Sequence, residues 1–216
     1  MRTITLIYDG TFNTYRWLKA MMWARNEFHD LGYKIKYASI FDYVPYPKST
    51  KVPYEGIKLK WDTIGRFDIV FLAFHHSQSI IGQNSEKRIA LVKSLKQKCK
   101  LLCWLDTADS TGTCLFDVLP YVDLYFKKQL LKDTNLYTNE FYCARLYSDY
   151  YHQKLGLTDE SLASIHYHTA LKEYLHKLRV SWNVAFYDRM GGKTWIYKHP
   201  FKFADPNVIE LSLIHI

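Results

Sequence analysis

LLCWLDTADSTGTCLFDVLPYVDLYFKKQLLKD, residues 101–133, decides how the rest of the chain is read. It opens on an unbroken apolar run, Leu101 to Leu105. A strand with one wet face alternates polar and apolar residues, so a continuous run suits a strand buried on both faces of a parallel sheet. The run stops at Asp106, and a small polar loop follows: Thr107, Ala108, Asp109, Ser110, Thr111 and Gly112. Leu115, Phe116, Val118 and Leu119 read as a short helix stopped by Pro120. Val122 to Phe126 reads as a second strand, with Lys127 and Lys128 just past its end. In open α/β sheets ligands bind outside the carboxyl ends of the strands, and the polar loop lies at such an end.

Working back towards the N-terminus, the same grammar repeats. Ile4, Leu6, Ile7 and Tyr8 form a first strand closed by Asp9-Gly10, and Thr11 or Asn13 can cap the helix that follows. The apolar set Tyr15, Leu18, Met21, Met22, Phe28 and Leu31 gives that helix one broad face, and Gly32 ends it. Gly-x-Gly-x-x-Gly is missing, so there is no dinucleotide fingerprint. Tyr33 to Ile40 alternates, as a strand nearer the sheet edge does, and 41–54 is a loop rich in proline and tyrosine. Asp68 to Phe74 is a third strand, apolar and therefore central, with His75 and His76 at its carboxyl end. Ser85 caps a helix whose lysines, Lys93, Lys96 and Lys98, form a solvated face. Strands alternating with helices from Thr3 to Lys128 predict an α/β fold: a Rossmann-like parallel β-sheet flanked by helices.

Beyond this unit the pattern loosens. Residues 136–151 read as aromatic and irregular, Thr158 with Asp159 and Glu160 starts a helical region, and Leu171, Leu175, Leu178 and Trp182 mark one helix face. The expected organisation is a domain over 1–185 and an interdomain segment with a truncated or foreign tail over 186–216, whose ending ELSLIHI fits neither a linker nor a helix end.

Bulk properties narrow the class. Hydrophobic residues make up 48% of the 216, which excludes a disordered chain. A formal charge of +8 favours phosphate-bearing or membrane-surface partners. No run of Lys and Arg with interleaved glycines occurs, so a nucleic-acid module is not expected. The 18 tyrosines suit sugar contacts, and equally an AT-rich source genome. Cys99, Cys103, Cys114 and Cys143 have no zinc-site spacing and read as free core thiols of a reducing cytoplasm. The N-terminus carries no secretory signal, and no apolar segment is long enough to span a bilayer.

DSTG (109–112) followed by FDVLPYVDLYFKKQLLKD (116–133) resembles the N-terminal half of bacterial two-domain glycosyltransferases of the GT-B architecture, found in surface-polysaccharide synthesis. The resemblance is clearest over 99–133, extends from Thr3 to about Arg189, where VSWNVAFYDR would close the first domain, and is absent after that. It implies a single acceptor-side half of such an enzyme. The whole enzyme would move a sugar from a nucleotide sugar, held by a missing C-terminal domain, to a saccharide or lipid-linked acceptor. Its place would be the cytoplasm, with peripheral contact at the inner membrane face. No cofactor and no metal are expected, and the half alone is expected to be inactive.

The residues themselves leave several chemistries open. Candidate substrate contacts are the strand-end groups Asp9, Gly10, Asn13, His75, His76, Asp109, Ser110 and Thr111; of these His75, His76 and Asp109 are the catalytic candidates. Adjacent histidines serve as a general base, a phosphate contact or plain surface, and lack a third ligand at zinc spacing. Asp9 can orient an acceptor hydroxyl or simply cap its turn. Asp109, Ser110 and Thr111 can cap the next helix and leave its amides to meet a phosphate. Ser110 or Thr111 as a nucleophile would need His75 or His76 as its base. Two further classes remain: a flavodoxin-like binding domain without chemistry, and a magnesium-dependent phosphatase using Asp106 and Asp109.

Overall fold

A computed structural model describes residues 1–9, 11, 14, 17, 18, 20, 21, 24–39, 57, 58, 66–77, 79–159 and 169–182. Its centre is a parallel sheet of β1 (Arg2–Tyr8), β2 (Tyr33–Ser39), β3 (Ile57–Lys58), β4 (Phe67–Phe74), β5 (Cys99–Asp106), β6 (Leu124–Lys127) and β7 (Leu178–Val180). The strands run in the order β3-β2-β1-β4-β5-β6-β7, and every pairing is parallel. The Rossmann-like α/β sheet expected from the sequence is therefore present. The order reverses between β1 and β4, which makes that gap the topological switch point where open α/β sheets bind ligands.

The apolar runs occupy the positions their composition demands. Consecutive residues of β5, Leu102 to Leu105, are all sealed from solvent, as are Leu72 to Phe74 of β4 and Leu6 to Tyr8 of β1. Burial of successive residues means burial of both faces. In β2, Lys34 and Lys36 are exposed while Tyr33, Ile35 and Tyr37 are half-buried, the alternation expected one strand in from the edge.

Helices α1 (Arg25–Asp30), α2 (Ile80–Gln83), α3 (Ser85–Lys96) and α4 (Leu146–Leu155) accompany the sheet, and residues 14, 17, 18, 20 and 21 are helical as well. Trp17, Leu18 and Met21 are buried, but Leu31, expected on the same apolar face, is 73% exposed. Gly32 ends α1 at φ 84°, a conformation that favours glycine. The cap of α3 is Asn84, whose side chain accepts from Lys87 N; the Ser85 hydroxyl instead donates to Asp117. Nor is the polar side of α3 wholly solvated. Arg88 is 3% exposed and grips Asp117 through Nε and Nη2 while its Nη1 donates to the carbonyls of Ile81 and Gly82. Lys96 pairs with Asp123 at 2.5 Å, and Lys93 lies over the Tyr121 ring.

The C-terminal part departs most from expectation. The helix predicted through Leu171, Leu175, Leu178 and Trp182 is a 3-10 helix, Lys172–Lys177, that gives way to β7. Leu178 is buried as the register partner of Tyr125. Residues 136–151, predicted irregular, include the first part of α4, the end of the 3-10 turn Thr134–Thr138 and the 3-10 turn Tyr142–Ala144. Thr158 and Asp159, expected to start a helix, are not helical. The loop 41–54, Glu160, the boundary at 185 and the tail 186–216 lie outside the described residues.

Candidate functional site

Parallel pairing brings the carboxyl ends of β1, β4 and β5 to one rim, and with them Asp9, His75 and Asp106. Asp9 is 4% exposed and fully engaged. One carboxylate oxygen accepts from Thr11 N and from the Thr14 hydroxyl, the other from His75 N at 2.7 Å. Of the two roles open to Asp9, the structural one is filled: it closes its own turn and stitches β1 to β4 across the switch point. Thr11 does cap the following helix, its hydroxyl accepting from Thr14 N. Gly10 and Asn13 lie outside the described residues.

His75 and His76 stack with ring centroids 4.6 Å apart at 27°. Ser77 N donates to Nδ1 of His75 at 3.3 Å, with the Ser77 hydroxyl 3.2 Å from the same atom. An accepting Nδ1 places the proton of the neutral His75 ring on Nε2. Nδ1 of His76 is buried and has no hydrogen-bond partner among the described residues. Burial pushes both rings below the usual histidine value; Asp9, ahead of Asp109 and Asp106, pulls His75 partly back, while the His75 ring lowers His76 further. Burial therefore favours the uncharged form of both rings. The His75 carbonyl accepts from Ser79 N and lies so near Gly82 that a Cβ there would come within 2.0 Å of it.

The loop after β5 splits the two aspartates. Asp106 is 2% exposed and turned inward: Oδ1 accepts from Ala108 N, and Oδ2 from the Tyr125 hydroxyl and from Lys127 Nζ at 3.2 Å. Lys127 is fully buried, and its remaining donors go to the carbonyls of Ala108 and Thr113. It is part of β6, register partner of Asp106, rather than a residue past the strand end. Asp109 is turned outward, its side chain 83% exposed and paired with Lys128. The two carboxylates do not converge on one point, which removes the geometry a magnesium phosphatase needs. Among the described residues no three His, Cys, Asp or Glu side chains form a group able to hold a metal ion.

Asp109, Ser110 and Thr111 cap nothing either. The next helical turn, Phe116–Val118, starts at Leu115 without a side-chain cap, and Leu115 N is satisfied by the Tyr125 hydroxyl. The Ser110 hydroxyl accepts from Gly112 N, so it is held in its own loop rather than against a histidine. Trp17 and Trp182 brace the rim from one side, Trp17 Nε1 donating to Thr107 O and Trp182 Nε1 to Trp17 O. Lys127 and Tyr125 are the members of this rim that sequence reasoning passed over; the available signal was a buried-run aspartate, Asp106, which required a partner.

No family model, curated protein or solved structure matches this chain. Among the described residues no helix is long and apolar enough to cross a membrane.

Proposed function

We propose that this chain is the acceptor-side half of a glycosyltransferase of the GT-B architecture, one that extends a saccharide or lipid-linked saccharide from a nucleotide-sugar donor. The observation that carries this is the stacked, largely buried histidine pair at the switch point of a parallel sheet. Sugar transfer joins an acceptor oxygen to the donor's anomeric carbon as the bond to the leaving phosphate breaks, and the acceptor's proton must go to a base. A neutral imidazole held at a strand end is suited to take it. His76 is the better candidate for that base, and His75, protonated on Nε2, for a donor to the acceptor oxygen. The phosphate-binding groups for the donor belong to the other half, so the donor sugar is not assigned.

The test is nuclear magnetic resonance on histidine-labelled chain, titrated separately with short oligosaccharides and with nucleotide sugars. Oligosaccharides should shift the His75 and His76 ring signals, and nucleotide sugars should leave them in place. A nucleotide sugar that moves those rings when no saccharide does, or turnover by this chain alone, overturns the assignment.

A non-enzymatic binding domain is the second reading. It is favoured by the commitment of Asp9 and Asp106 to structural bonds. Leaving β3 aside, the run β2-β1-β4-β5-β6 has the 2-1-3-4-5 order of the flavodoxin-like folds, with β7 added beyond it, and ligands of those folds sit at the same switch point. Such a domain would show nucleotide shifts at the Thr11 and Thr14 amides instead.

A further inference from the structure

A small pocket opens beside the rim, between the loop after β5 and residues 131–146. Phe116 and Tyr137, buried and packed edge-to-face at 5.0 Å, line it together with the half-buried ring of Phe141. The Tyr137 hydroxyl is anchored by accepting from Leu131 N, and the ring faces offer carbon. Thr111 and the exposed Asn139 and Glu140 supply the polar lining. One wall is backbone in a costly form: Cys143 and Ala144 are consecutive non-glycine residues at φ 53° and 52°. The Ala144 carbonyl reaches in so far that a Cβ on Gly112 would lie 1.9 Å from it.

Size and lining together select a ligand class. The cavity is about 40 Å³, room for about three water-sized atoms. A whole pyranose or a nucleobase does not enter; a substituent of three or four heavy atoms does. The aromatic lining suits a methyl group, the Asn139 amide and Thr111 hydroxyl suit a group that both donates and accepts, and the Glu140 carboxylate disfavours an anion. We propose that this pocket takes the acetamido group of an N-acetylated sugar and thereby selects the acceptor; the sugar that carries the group rests on the transferase assignment above. The methyl would meet Phe116 and Tyr137, and the amide N–H and carbonyl would meet Thr111 and Asn139.

The full chain is titrated with the methyl glycosides of N-acetylglucosamine and of glucose, and with N-methylacetamide, using saturation-transfer nuclear magnetic resonance. The acetyl methyl should receive the strongest saturation, and the N-acetylated glycoside should bind about tenfold more tightly, the scale of one hydrogen bond plus a buried methyl. Leu131→Trp, which fills the cavity, should erase that preference, and Asn139→Ala, at an exposed position that leaves the fold intact, should reduce it. Equal binding of both glycosides, or a preference that survives both variants, overturns the pocket while leaving the transferase assignment standing. Binding of N-methylacetamide alone, lost in the same variants, keeps the acetamido pocket and overturns the saccharide. Binding of none of the three overturns the pocket.

Discussion

Asp9 accepts the backbone N–H of His75 at 2.7 Å, joining strands that are neighbours in the sheet but 66 residues apart in the chain. The bond crosses the one gap where the strand order reverses, so the groups that shape the candidate site also hold it together. Asp9→Ala strands the Thr11 and His75 amides, while the Thr14 hydroxyl can still donate to Thr11 O. The expected loss is about 3 kcal/mol, the upper range for bonds to a charged acceptor, read as a fall in the urea midpoint with an unchanged slope. Asp9→Asn should not restore it, because its NH2 would face a donor. A variant within about 0.5 kcal/mol of the parent, the range of an ordinary surface change, would show that the stitch is dispensable.

The Asp106–Lys127 pair makes a prediction that separates structure from catalysis. Removing one partner leaves the other charged and buried, so Asp106→Asn or Lys127→Met alone should cost about 3–5 kcal/mol. Combining them removes both charges, and the double variant should be more stable than the sum of the single losses predicts. Simple additivity in chemical denaturation would mean that the two groups do not depend on each other.

Much of this was legible in the sequence and some was not, for physical reasons. Unbroken apolar runs in β4 and β5 can only be buried on both faces, and so they gave the central strands and the rim. The strand β7 was hidden because Leu171, Leu175 and Leu178 keep helical spacing, whereas in the structure Leu171 is exposed ahead of the 3-10 helix, Leu175 alone lies within it, and Leu178 turns into the sheet. Lys127 was hidden because charge at a strand end normally reads as solvent-facing; its burial depends on the register that sets it opposite Asp106. The pocket draws on residues from 111 to 169, and no local pattern announces such an assembly.

Gly82 and Gly112 are glycines by exclusion. An alanine Cβ would meet the His75 carbonyl at 2.0 Å or the Ala144 carbonyl at 1.9 Å, and backbone cannot swing away as a side chain can. Each Gly→Ala change should cost about 1–3 kcal/mol, as overpacking does. The two should differ in what they disturb: Gly82→Ala should shift the His75 and His76 ring signals, and Gly112→Ala should leave them and alter ligand binding at Phe141. Identical spectral footprints would contradict the separation of rim and pocket.

Acid sensitivity should come from the histidine pair before the carboxylates titrate. His75 and His76 have lowered values in the native state, against an ordinary 6.5 when unfolded. Well above 6.5 both states are neutral and the pair contributes nothing to the pH dependence. As pH falls through 6.5 the unfolded chain takes up protons that the native rings refuse, so stability declines, and the decline levels off once pH passes below the native values. Melting temperature should therefore be flat from about pH 8 to 7 and fall as pH drops below about 6.5. In a His75→Gln/His76→Gln variant that slope should flatten. An unchanged slope would place the acid sensitivity elsewhere, and with it would go the claim that burial favours the uncharged form of these rings.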